Sequence, residues 1–142
     1  MNTDRKIAFA LLGLRLSVFL VMLLWTLDKF LRPDHASRVY EYFYHSPGFG
    51  KGVSVSLGVA ELLIIMCFLL GIQKKWSYGA VLVLHGVSTF SSYTKYLQAY
   101  EGTNLLFFAA WPMLAACWAL FLLRDLDQMC TIGKSSLSAG PA

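Results

Sequence analysis

The sequence predicts an all-α fold: a membrane-embedded four-helix bundle with an interfacial loop or short helix between helices 1 and 2. Three observations carry that prediction. The chain is 57% hydrophobic and only 14% charged, whereas a soluble domain carries about 25% charged residues to cover itself in water. Its apolar residues gather into stretches at about 7–31, 53–72, 76–93 and 105–123, and roughly 20 such residues at 1.5 Å rise cross the roughly 30 Å hydrocarbon layer. Finally, the basic residues that give the net charge of +4 flank those stretches, as orientation signals and headgroup contacts do, so nucleic acid is excluded as a partner.

The first span follows Arg5 and Lys6. It is too long for a secretory signal, contains Arg15, and lacks a clear small-residue cleavage site, so it is expected to remain in place. Asp28 and Lys29, with Arg32 and Pro33, mark its far end; Asp28 and Lys29 read as a helix-end pair reaching for headgroups. Residues 34–52 form the longest connection. Tyr40, Tyr42 and Tyr44 suit an interfacial belt, and the breakers Ser46, Pro47, Gly48 and Gly50 close it. His35, Glu41 and His45 share no ligand spacing, so no metal site is expected.

The short turn Gln73-Lys74-Lys75 requires the third span to run antiparallel to the second. Tyr93, Tyr96 and Tyr100 suit the opposite interface. The fourth span contains Pro112, where a kink is expected unless neighbouring helices satisfy the freed carbonyl. Residues 1–128 thus form one transmembrane domain, with 129–142 as a flexible polar tail. Cys67, Cys117 and Cys130 make no CxxC pair, which argues against a thiol relay or a zinc site. Arg5, Lys6, Lys74, Lys75, Arg124 and Lys134 lie on one side, and Lys29, Arg32, Arg38, Lys51 and Lys95 on the other. The basic turn decides the orientation, with both termini cytoplasmic.

Glu61 is the anomaly in the second span, because a carboxylate that deep costs about 2.5 kcal/mol or more unless it is neutral, paired or wet. Counted from the span ends, Arg15 lies about 12 Å from the cytoplasmic boundary and Glu61 about 18 Å, a gap an arginine side chain covers. Arg15 is therefore the expected partner of Glu61. His85 falls at a similar depth, and His85, Ser88, Thr89 and Ser92 recur at i, i+3, i+4 and i+7, so they share one helical stripe that must face protein or water. This predicts a polar core of Arg15, Glu61 and His85. Its structural reading, an ion pair fixing register, is favoured over a proton or quinone-headgroup site, because one pair and one histidine are a small set for a proton pathway. For His85 alone, a hydrogen bond within the core is favoured over metal ligation.

With these residues placed, the chain resembles the DoxX-like family of small four-helix membrane proteins. The resemblance rests on LLGLRLSVFL around Arg15, WTLDKF with Asp28 and Lys29, and GVAELLIIMCFLLGI with Glu61 and Gly71, followed by the basic turn. It spans roughly residues 8–123. The fourth span, with Trp111-Pro112, and the RDLDQ sequence after it depart from the commoner pattern, and the cysteines of a disulfide-handling relative are missing. The resemblance implies a bacterial inner-membrane protein, since some relatives are subunits of quinone-linked sulfur oxidation complexes and others accompany redox-stress systems.

The expected function is a non-catalytic subunit or accessory protein of a membrane redox complex, contacting lipid and either other membrane subunits or further copies of itself. The polar core is a candidate quinone-headgroup site. One rival is a quinone-reactive oxidoreductase subunit that uses Glu61 or His85 for proton transfer. A second is a small transporter, against which stands the lack of repeat symmetry or broken spans.

Overall fold

The computed structural model describes residues 2–45, 47–48 and 50–132. Among them the chain is helical with no strand. Its elements are α1 (Thr3–Leu31), α2 (Pro33–Tyr44), α3 (Lys51–Leu69), α4 (Lys74–Ser91), the short α5 (Tyr93–Leu97), and a 3-10 segment (Asn104–Ala109) that runs into α6 (Ala110–Leu122). Three of these are long and apolar enough to cross a membrane: α1, α3 and the combined Asn104–Leu122 helix. The α4 helix is of similar length but is diluted by Ser77, His85, Ser88, Thr89 and Ser91.

α1 packs against α3, α3 against α4, α4 against α6, and α6 back against α1, which closes a ring of four. Its centre is apolar: Leu11, Val18, Ile65, Phe68, Val81, Cys117 and Leu120 are buried together. Large apolar side chains also stand outward, Leu20, Leu24, Leu63, Val83, Trp118 and Leu122 among them. A water-soluble monomer of this size does not expose that much contiguous apolar surface, but an acyl-chain environment accepts it.

Local chemistry sets each boundary. Asn2 caps α1 by accepting from the Asp4 amide at 2.9 Å. Pro33 opens α2 at a position that needs no amide hydrogen. α3 ends where Gly71 takes φ +63°, a left-handed conformation that glycine adopts without a side-chain penalty. The connection expected between the first two spans is a 12-residue helix.

α1 and α3 approach closely at Gly58, where a methyl group would lie 2.8 Å from the Phe30 ring and 3.3 Å from the Lys29 β-carbon. Beside it the Ser54 hydroxyl donates to the Lys29 carbonyl at 3.2 Å. Small residues at this spacing set the register of the pair.

Two expectations need correction. Pro112 does not kink a continuous helix: the preceding turns are wound as a 3-10 segment and the α-helix starts at Ala110, so the proline falls in a first turn, where the missing amide costs least. Nor is the chain free beyond residue 128. Ile132 donates its amide to the Leu70 carbonyl at 2.9 Å, and Thr131 lies against Gly71. The rest of the expected flexible tail, residues 133–142, lies outside the described residues.

Candidate functional site

The ionisable groups inside the ring gather at its two ends rather than in one central cluster. At the end that carries the α3–α4 turn, Arg15 is fully buried, as is Asp127. The Arg15 guanidinium lies 3.2 Å from the Asp127 carboxylate and donates to the Tyr78 hydroxyl at 3.2 Å. Tyr78 in turn donates to Asp127 at 2.7 Å. The other arm of Arg15 reaches the carbonyls of Met129 and Cys130, and the Lys74 ammonium meets the Asp127 carbonyl. The segment after α6 therefore folds back as a strap and is fastened to α1 and α4 through charge.

At the other end, the Lys29 ammonium sits 2.8 Å from the Glu61 carboxylate, with both side chains largely buried. The Thr26 hydroxyl lies 3.1 Å from the same carboxylate oxygen and 2.8 Å from the Met22 carbonyl. Lys29 also approaches the Trp25 carbonyl at 3.4 Å. Its side chain thus runs back toward the start of its own helix, the direction in which helical Cα–Cβ bonds tilt. Over this pair lies α2. Tyr40 stacks on Tyr44 with ring centres 5.0 Å apart, and burial together with the Glu61 charge pushes the Tyr40 hydroxyl up to about 12.

The expected Arg15–Glu61 pair is therefore overturned. Glu61 stands level with Thr26, and eleven residues of helix, about 17 Å, separate Thr26 from Arg15. The depth count failed because it began both spans at their first apolar residue. In the structure α3 starts at Lys51, beyond the level of Lys29, while Arg15 is level with the α3–α4 turn. Asp28 and Lys29 do not form a pair of their own either. Asp28 binds Arg32 and, at 2.6 Å, the His35 ring, which fastens α2 to the end of α1, while Lys29 turns inward to Glu61.

His85 belongs to neither cluster. It is at about the same height as Glu61 but turns toward α6, where its Nε2 lies 3.0 Å from the Ala110 carbonyl, the hydrogen bond within the core that its sequence position suggested. The stripe is spent locally. Thr89 donates to the His85 carbonyl at 2.8 Å, Ser92 to the Ser88 carbonyl at 3.1 Å, and Tyr96 to the Thr89 carbonyl at 3.0 Å. Among the described residues, no group of three or more His, Cys, Asp or Glu side chains is arranged to hold a metal ion.

Sequence reasoning missed Asp127, Tyr78 and Thr26. Asp127 carries a legible signal, an acidic residue shortly after the last span in a chain that has a buried arginine to neutralise. Tyr78 looks like an interfacial tyrosine, and nothing in its spacing distinguishes it. No known family model, curated protein or solved structure matches this chain.

Proposed function

We propose that this protein is a multi-pass membrane protein of DoxX-like, four-span architecture. It acts as a small non-catalytic subunit or accessory protein of a quinone-linked redox complex in the bacterial inner membrane. α4 is the fourth span, acceptable in lipid because its polar groups are satisfied within the bundle. The observation that carries the non-catalytic reading is that each buried charge is paired with an opposite one. Arg15 is held by Asp127, Tyr78 and two carbonyls, and Glu61 by Lys29 with Thr26 beside it. Charges so arranged fix helix order and register, and removing one partner leaves the other stranded in low dielectric.

A quinone headgroup, if one binds, is best served by the Lys29–Glu61 end. Glu61 remains 16% exposed there. The crevice beside Lys29 between α1 and α2, lined by Trp25, Asp28, Ala36, Val39 and Tyr40, is about 20 Å³. That is room for a water rather than a headgroup, so a quinone reaches the pair only if α2 moves aside. A quinone carbonyl accepts from an ammonium or a hydroxyl, and this end supplies both.

Purification in mild detergent, with mass identification of co-purifying chains and lipid-soluble molecules, tests the proposal. Partner subunits or a quinone at stoichiometric level are expected. A homogeneous bare protein that carries neither, from cells in which it is made at its natural level, overturns the reading. For the enzyme alternative, Glu61→Gln is decisive: turnover lost with the inserted population unchanged moves Glu61 from a structural to a chemical role.

A further inference from the structure

A cleft of about 590 Å³ lies between the end of α2 and α5, a size that takes a small ligand or a headgroup, for which roughly 300–1,000 Å³ is usual. Its lining includes Glu41, Tyr42, Phe43, Ser91, Tyr93 and Gln98. Position and chemistry together restrict what fits. α1 ends at Leu31, α3 begins at Lys51, α4 ends at Ser91 and the last long helix begins at Asn104, so all four meet this end of the molecule. A cleft there opens at headgroup level if the proposed membrane reading holds, and the inference rests on that reading.

Charges of both signs lie in the cleft or next to it. Glu41 lines it and forms no ion pair among the described residues. Lys95 is not part of the lining, but its ammonium lies 4.9 Å from the centre of the ring of Tyr42, which is. Ring quadrupoles attract cations at this distance, so Lys95 fills that face of Tyr42, and the Phe43 and Tyr93 rings of the wall are left for a second cation. Aromatic rings beside a carboxylate recognise an organic ammonium, and a lysine nearby recognises a phosphate. The hydroxyl of Ser91 and the amide of Gln98 add neutral hydrogen-bonding groups.

We infer that this cleft binds the zwitterionic headgroup of a phospholipid, taking its ammonium at Glu41 and the aromatic wall and its phosphate at Lys95. An anionic headgroup without an ammonium leaves Glu41 facing a like charge. The exposed Leu97 side chain in the cleft lining provides an apolar surface for the acyl chains.

The test uses the full chain in nanodiscs of equal phosphatidylethanolamine and phosphatidylglycerol, with bound lipid read by native mass spectrometry after release into detergent. The expected result is enrichment of phosphatidylethanolamine by about tenfold, the ratio that one charged contact of ordinary strength produces. Glu41→Gln is expected to abolish the enrichment, whereas Glu101→Gln, an exposed carboxylate outside the cleft, leaves it intact. Lys95→Gln is expected to lower retention of both lipids. Soluble phosphoethanolamine should displace the bound lipid. Equal retention of the two lipids by the unaltered protein overturns the inference, as does enrichment that survives Glu41→Gln. Alkaline carbonate extraction of native membranes, run alongside, separates this failure from that of the membrane reading, because it reports insertion whether or not the cleft is occupied.

Discussion

Asp127 illustrates how one side chain outside every span governs the burial of another inside one. With Arg15 fully buried, removing its counter-charge leaves a guanidinium in low dielectric, so Asp127→Ala is expected to cost about 3–5 kcal/mol. Thermal unfolding in detergent measures this, and Asp125→Ala, an exposed neighbour, serves as the control that should stay near the unaltered protein. A small effect at both positions would mean that the strap is held by its carbonyls alone. Tyr40 offers a second reading at this scale. Its hydroxyl is pushed up to about 12 by burial and by the Glu61 charge, against about 10 in an unfolded chain. The folded state therefore holds that proton more tightly. The associated stability is fully present below about pH 10 and is lost as pH rises toward 12. The phenolate absorbance that Tyr40→Phe removes should appear near pH 12, and Glu61→Gln should bring that transition to lower pH. An unchanged transition in that variant would show that burial alone shifts it.

The α1–α3 contact depends on the absence of a side chain at Gly58. A methyl group there would sit 2.8 Å from the Phe30 ring, so Gly58→Ala must push the helices apart or turn the ring, at about 1–3 kcal/mol. Because Lys29 is beside the same glycine, the displacement also lengthens the Lys29–Glu61 contact. Loss of thermal stability in Gly58→Ala, with Gly13→Ala neutral at a position where an added carbon meets nothing within 4 Å, is the expected pattern; equal tolerance at both sites would place the close approach elsewhere. Much of this level is legible in the sequence. Apolar length locates α1, α3 and the last long helix, Pro33 and the Gly71 turn punctuate them, and Ser54 with Gly58 marks a close-packing face. Pairing between elements is not legible to the same degree. A span's first apolar residue does not mark where its neighbour begins, and an error of one or two turns is enough to exchange Lys29 for Arg15 as the partner of Glu61. The strap was hidden for a related reason: its sequence is polar and short, and only a partner buried in α1 makes it fold.

At the scale of the whole molecule, the corrected register leaves the orientation to the remaining basic residues. Lys29 and Arg15 are both buried against a carboxylate and count for neither side. Among the described residues, the end with the α3–α4 turn then holds Arg5, Lys6, Lys74, Lys75 and Arg124, and the other end Arg32, Arg38, Lys51 and Lys95. Basic residues near short loops are retained on the cytoplasmic side, so the strap is expected to face the cytoplasm and the α2–α5 cleft the opposite compartment. Cys130 provides a native reporter, since its thiol is exposed while Cys117 is buried. A membrane-impermeant maleimide should modify Cys130 in inverted vesicles and spare it in right-side-out ones. Tyr100→Cys in a Cys130→Ser background, at a position 93% exposed near the cleft end, should show the reverse. Labelling of both positions from one side would contradict a membrane lying between the two ends, whereas a clean exchange of the two patterns would keep the bundle and invert it. The charge distribution favours the first orientation because turning the molecule over would carry the Lys74-Lys75 turn with Arg5, Lys6 and Arg124 across the membrane, leaving only the more scattered basic residues of the cleft end to hold the cytoplasmic side.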